Sequence, residues 1–153
     1  MTPAVVGPTP AFVLDASVTA AWLLPDERTV ASERAYARLR ASQIDAHAPE
    51  LWVWECGNVI ANAVKRNRIV IGDAQPMWNL LESVRTRVSL VAFEPKQVGA
   101  CLALAVEETL SLYDAAYLWL AMSMRLPLLT HDQRLAAAAS HQAVDVWRLE
   151  TMT

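Results

Sequence analysis

The sequence predicts an α/β fold, with a mostly parallel sheet covered by helices on both faces. Three observations carry this expectation. Short apolar runs such as Phe12–Leu14 and Leu126–Leu129 read as strands buried on both sides. Longer helical patterns alternate with them, as βαβ units require. Two of the runs also end alike. Leu14–Asp15–Ala16–Ser17 and Leu129–Thr130–His131–Asp132 each deliver an acid and a hydroxyl to a strand's exit. That is where ligands bind in open α/β sheets. The two exits are expected to meet.

At 153 residues the chain suits one domain with a sizeable core. Residues 1–10 hold three prolines and no charge, and read as a flexible N-terminal extension to a domain over 11–153. The first strand is expected at 11–15. Ser17 is a candidate N-cap for a short helix over 18–24, stopped by Pro25. Asp26 is expected to open a helix to about 42, with Val30, Tyr36, Ala37 and Leu39 on its apolar side. A strand over 44–48 leads to Pro49 as first residue of a helix over 49–66. Gly72–Asp73 turns into a helix over 74–87. A strand over 88–93 and Glu94–Pro95 precede a helix over 95–108. Ser111 starts a helix over 112–125 that is apolar nearly all round and therefore buried. A strand at 126–130, a short helix at 132–140 and a strand at 144–147 complete the chain. No internal repeat or linker interrupts it.

Composition narrows the classes. The apolar fraction is 54%, yet the longest apolar helix, Ala115–Met124, is about half the roughly 20 residues that span a bilayer. Residues before the first strand carry no basic n-region and Asp15 interrupts the apolar part, so no signal peptide is expected, and no membrane partner is expected either. Cys56 and Cys101 lack metal or redox spacing and read as buried thiols in a reducing cytoplasm. Net charge is −3. Setting aside the four acids discussed next leaves twelve acids against thirteen Lys and Arg, so total charge does not exclude a polyanionic substrate.

Asp15, Glu55, Asp114 and Asp132 stand out because each lies inside apolar sequence. An ionised carboxylate there is costly without a cation or several donors. Three of them also have a plainer reading, while Asp15 is harder to explain as a cap because Ser17 is the cap candidate there. Asp114 could serve backbone N–H groups in the first turn of its helix, and Asp132 could cap the next one. Glu55, with Asn58 and Asn62, could lie on a solvated stripe. Together the four acids, with no His or Cys set beside them, suit Mg²⁺ or Mn²⁺, which prefer oxygen ligands. Ser17 and Thr130 are candidate supporting hydroxyls. His131 is expected to turn away from the site. Carboxylate-held divalent metal can orient water and stabilise charge on a phosphodiester under in-line attack. No phosphate-binding glycine loop, dinucleotide fingerprint, CxxC pair or GxSxG elbow is present.

The set Val13–Ser17, Glu55–x–x–Asn58–Val59 after Pro49, Leu112–Tyr117 and Leu129–Asp132–x–x–Leu135 resembles the PIN-domain family, and within it the VapC-type toxins of bacterial toxin–antitoxin pairs. The resemblance runs from about Phe12 to Trp147. It implies an α/β/α sandwich, a Mg²⁺- or Mn²⁺-dependent endoribonuclease, a homodimer and a small antitoxin covering the groove. By motif, Asp15, Glu55, Asp114 and Asp132 are its acidic quartet, with Glu50 a rival for Glu55. RNA would need basic contacts; Lys65, Arg66, Arg68 and Arg134 are candidates, with Arg85 and Arg87 as further ones. The tryptophans of 51–54 match nothing in the family pattern, and read either as core or as an interaction surface. A housekeeping nuclease and a non-catalytic interaction protein of the same fold are the competing functions.

Overall fold

The computed structural model describes residues 7–152. Of the N-terminal extension expected over 1–10, residues 1–6 lie outside that range; residues 7–10 are exposed and lack regular structure. Five parallel strands form one sheet in the order β3-β2-β1-β4-β5: β1 (Ala11–Leu14), β2 (Asp45–Pro49), β3 (Val88–Val91), β4 (Leu128–Leu129) and β5 (Val146–Trp147). Among the described residues seven α-helices connect and cover them: α1 (Ala16–Leu23), α2 (Val30–Arg40), α3 (Leu51–Lys65), α4 (Ala74–Arg85), α5 (Pro95–Glu108), α6 (Leu112–Met124) and α7 (Gln133–His141).

The strand order dictates where the helices go. The chain moves from β1 to β2 to β3 in one direction, then jumps back to β4 and continues to β5. Right-handed crossovers therefore put α1–α4 on one face and α5–α7 on the other. The helix contacts group accordingly: α1 with α2, α3 and α4, and α6 with α5 and α7. The direction of winding reverses between β1 and β4, the position where open α/β sheets bind ligands. These two strands pair in register, Val13 with Leu128 and Leu14 with Leu129, so the two similar strand exits do meet.

The core explains the apolar runs. Phe12, Val13, Leu14, Leu128 and Leu129 are fully buried, as the central strands of a doubly covered sheet must be. On α6, Ala115 to Leu118, Leu120 and Ala121 are buried, while Leu112, Met122 and Met124 at its ends are exposed. The two tryptophans of 51–54 divide. Trp52 is 0% exposed, and its Nε1 donates to Thr19 Oγ1 at 3.1 Å, locking α3 to α1; Trp54 is 81% exposed. No helix among the described residues is long and apolar enough to cross a membrane.

Several boundaries differ from the sequence expectation. Ser17 does not cap α1, which begins at Ala16 with Asp15 in the cap position. Asp26 opens no long helix: residues 25–27 form a single 3₁₀ turn, and α2 starts after Thr29. Thr29 and Ser32 cap each other reciprocally, Thr29 Oγ1 accepting from Ser32 N at 3.1 Å and Ser32 Oγ from Thr29 N at 2.8 Å. Val30, placed on the apolar side, instead faces water. Pro49 ends β2, paired with Val91, rather than starting α3. The strands β4 and β5 shrink to two residues each.

Candidate active site

Asp15 is the centre of the site. It leaves β1 directly into α1, its backbone N–H donating to Leu129 O at 3.1 Å across the sheet. Its side chain is nearly sealed from water. Oδ2 accepts from Ser17 Oγ at 2.5 Å and from Thr130 Oγ1 at 2.7 Å. Both hydroxyls are fastened in turn. Ser17 Oγ accepts from the His131 backbone N–H at 2.9 Å, and Thr130 Oγ1 accepts from the Asp132 backbone N–H at 2.9 Å. The two strand exits are thus stitched together through one carboxylate oxygen. The Ser17 hydroxyl is committed here, which is why it is not a cap. The His131 side chain is exposed.

The other acids arrive on three helices. Glu55 comes from the second turn of α3, half-buried, with Oε1 sunk and accepting no hydrogen bond. Asp114 sits in the first turn of α6; Ser111 caps that helix by accepting from Asp114 N at 3.0 Å, and donates Oγ to Asp114 Oδ2 at 2.8 Å. The cap expected of Asp114 is therefore performed by Ser111. Asp132 does cap α7, Oδ1 accepting from Arg134 N at 2.8 Å and Leu135 N at 3.0 Å. A cap and a site acid are not exclusive, since a carboxylate has two oxygens. Glu50 stands at the exposed start of α3, lining an apolar groove with Pro49, Leu51 and Tyr113.

Electrostatics tie the four together. Burial raises the Asp15 pKa above its ordinary 3.8; the Ser17 and Thr130 hydrogen bonds oppose this, and the charges of Asp114 and Asp132 add to it. Burial pushes Glu55 up to about 7, with Asp15 and Asp114 adding to the rise. The nearby Tyr117 hydroxyl favours the ionised form of Glu55 but stops short of hydrogen-bond geometry, because both atoms remain unpaired. Among the described residues no group of three or more Asp, Glu, His or Cys side chains is arranged to hold a metal ion as it stands. The donors nonetheless suit a hard divalent cation. They are all carboxylate oxygens, they repel one another, and one is buried without a partner. Mg²⁺ keeps several waters and needs only one or two protein carboxylates.

Thr130 offers a direct check on the stitching. Thr130→Val keeps the shape but strands the Asp132 N–H and takes a donor from Asp15. It is expected to cost about 1–3 kcal/mol in urea unfolding. A loss below a few tenths would mean the hydroxyl does not hold the strand exits together.

The basic candidates lie in different settings. Lys65 and Arg66 are exposed at the far end of α3, roughly 15 Å along the helix from Glu55 at 1.5 Å per residue. Arg68 is engaged by Asp26 and Glu27, at 2.8 and 2.7 Å. Arg134 Nη2 donates to Thr109 O at 3.0 Å, between the starts of α6 and α7. Arg85 pairs with Glu82 on its own helix, and Arg87 is exposed. Tyr117 is the neighbour of the site that the sequence did not single out for a role. The available signal was its place three residues after Asp114, on the same face of a helix otherwise apolar there.

The comparisons with known proteins agree with this architecture. The chain is 29% identical over 129 residues to Ribonuclease VapC3 of Pyrobaculum aerophilum, covering 82% of this chain and 92% of that one. The crystal structure of PAE2754 from Pyrobaculum aerophilum superimposes with a TM-score of 0.70 at 22% identity, over 94% of this chain and 93% of that one. A toxin-antitoxin complex from Klebsiella pneumoniae superimposes with a TM-score of 0.56 at 17% identity, over 82% and 90% of the two chains. Residues 12–140 match the PIN domain, from the first buried residue of β1 to the last turn of α7, and the chain belongs to that family.

Proposed function

We propose that the chain is a Mg²⁺- or Mn²⁺-dependent endoribonuclease, acting in the cytoplasm as the toxin of a toxin–antitoxin pair. The observation that carries the reading is the gathering of carboxylates around Asp15 at the reversal point of the sheet. The likeness to a protein named Ribonuclease VapC3, and to one found in a toxin-antitoxin complex, supports the substrate and the partner. The family pattern adds a homodimer and a small antitoxin over the groove.

Asp15, Glu55, Asp114 and Asp132 would hold the cation, whose charge, when bound, orients water and offsets negative charge building on the phosphodiester. The chain's own residues do the rest. Ser17 and Thr130 fix Asp15 through Oδ2. Burial raises the Glu55 pKa to about 7, so part of the population holds a proton at neutrality, and binding of a cation would release it. Arg134, beside the acids, and Lys65 and Arg66, further along α3, are the contacts proposed for the RNA backbone. Arg68 would have to leave Asp26 and Glu27 to join them.

The test is cleavage of tRNA, mRNA and rRNA by the purified chain, with Mg²⁺, Mn²⁺ or EDTA. Cutting is expected with either ion and not in EDTA. Asp114→Asn is expected to lower the rate about 100-fold or more, the loss typical when charge stabilisation is removed from a reacting site. Parental cutting by that variant would overturn the assignment. Growth arrest on expression, relieved by co-expressing the product of an adjacent gene that co-purifies with the chain, tests the toxin reading. Absence of arrest would leave a nuclease without a toxin's role.

A further inference from the structure

Among the described residues, two buried side-chain oxygens make no hydrogen bond: Oε1 of Glu55 and the hydroxyl of Tyr117. They are neighbours. Tyr117 is 0% exposed, and the acids acting on it are Glu55 and Asp15, with Cys56 beside them. It stands three residues after Asp114 on α6, so the same helix face presents both to the site. A buried O–H without an acceptor and a carboxylate oxygen without a donor, in one water-poor space, are two halves of a hydrogen bond. Two neighbouring oxygens already accept hydrogen bonds. The Thr19 hydroxyl accepts from Trp52 Nε1, and Asp15 Oδ2 accepts from Ser17 and Thr130. Phenylalanine would fill the same space in this apolar helix, so the hydroxyl is the feature that packing does not explain.

We propose that Tyr117 is a positioning residue for Glu55. Its hydroxyl donates to Oε1 and holds the carboxylate in the orientation that faces Asp15 and Asp114. The other three acids have such support: Asp15 from Ser17 and Thr130, Asp114 from Ser111, and Asp132 from backbone N–H groups. Tyr117 completes the series for the fourth. The inference rests on the metal-site reading above for its consequence, but not for the pairing itself.

Tyr117→Phe removes only the oxygen. Mn²⁺ binding to the protein alone, read by calorimetry, is expected to weaken about 10-fold, as when a group supporting a metal ligand is lost. The kcat for RNA is expected to fall similarly with KM unchanged. In a Glu55→Gln background the same substitution should add no further loss of Mn²⁺ affinity, because Tyr117 acts through Glu55. Parental Mn²⁺ affinity in Tyr117→Phe, or an equal loss in both backgrounds, would overturn the proposal. If the parent protein neither binds Mn²⁺ nor cuts RNA, the nuclease reading fails and the pairing is judged separately. A double-mutant cycle of Tyr117→Phe and Glu55→Met, by urea unfolding in EDTA, then decides it: a coupling supports the pair, and additivity sinks it.

Discussion

Asp15→Asn is expected to reduce RNA cleavage at least about 100-fold while leaving the ion-free protein as stable as the parent or more so. The two effects have one cause. Asp15 is buried at the centre of the acidic group, and its pKa is raised chiefly by that burial and further by Asp114 and Asp132. Its charge therefore opposes folding until a cation offsets it. Asparagine retains a carbonyl oxygen for the Ser17 and Thr130 hydroxyls, so the stitched strand exits survive. What disappears is the negative charge that a cation would need. Melting curves in EDTA and in millimolar Mn²⁺ separate the two contributions. The parent should melt higher with Mn²⁺, since an ion that binds only the folded state stabilises it. The variant should show little of that rise. A variant that melts well below the parent in EDTA, or keeps the full Mn²⁺ response, would mean that Asp15 serves the fold rather than an ion.

Stability of the ion-free protein should fall as pH rises from about 4.5 to about 7. The direction follows from Glu55, whose folded pKa is raised from 4.5 to about 7, first by burial. Below 4.5 both folded and unfolded chains hold the proton. Between the two values the folded chain keeps a proton that the unfolded chain has released, so each step up in pH favours unfolding. Above about 7 both have lost it and the decline is complete. A fully buried group would contribute about 1.4 kcal/mol per pH unit; Glu55 is half-buried, so solvent screening brings the loss over the interval down to roughly 1 kcal/mol. Asp15, raised from 3.8, contributes with the same sign. Urea unfolding across this range in EDTA measures the slope, and Glu55→Gln should flatten much of it. Saturating Mn²⁺ should oppose the decline, because loading the site favours the ionised acids. Stability that rises from pH 4.5 to 7 without metal would show that these carboxylates sit in a compensated, solvated setting.

How much of this was legible beforehand depends on the kind of signal each residue carries. Buried parallel strands write themselves as unbroken apolar runs, so β1 and the β4 region were readable, and so was the alternation with helices. The pairing of β1 with β4 was readable as well, because similar acid-and-hydroxyl exits have most to gain from meeting at a sheet reversal. Helix ends were less legible. A glycine usually marks where a helix stops, but this chain has only four. Thr109 and Arg125 occupy the left-handed conformation at the ends of α5 and α6, at φ 56° and 55°, and Ala143 follows α7 at φ 58°. Nothing in those residue types announces the turn. One helix start was misplaced. Asp26 was read as opening the helix, and only the reciprocal bonds between Thr29 and Ser32 show that it starts after Thr29.

The amino-acid sequence by itself determined the α/β alternation, the fully apolar strands and the four isolated acids, because burial and charge are properties each residue carries wherever the chain goes. The tertiary structure alone decided which hydroxyl holds Asp15, that Trp52 enters the core while Trp54 faces water, that Arg68 is occupied by Asp26 and Glu27, and that Tyr117 stands unpaired beside Glu55. Most of those are relations between residues distant along the chain, set by how the elements pack, and no local pattern encodes them.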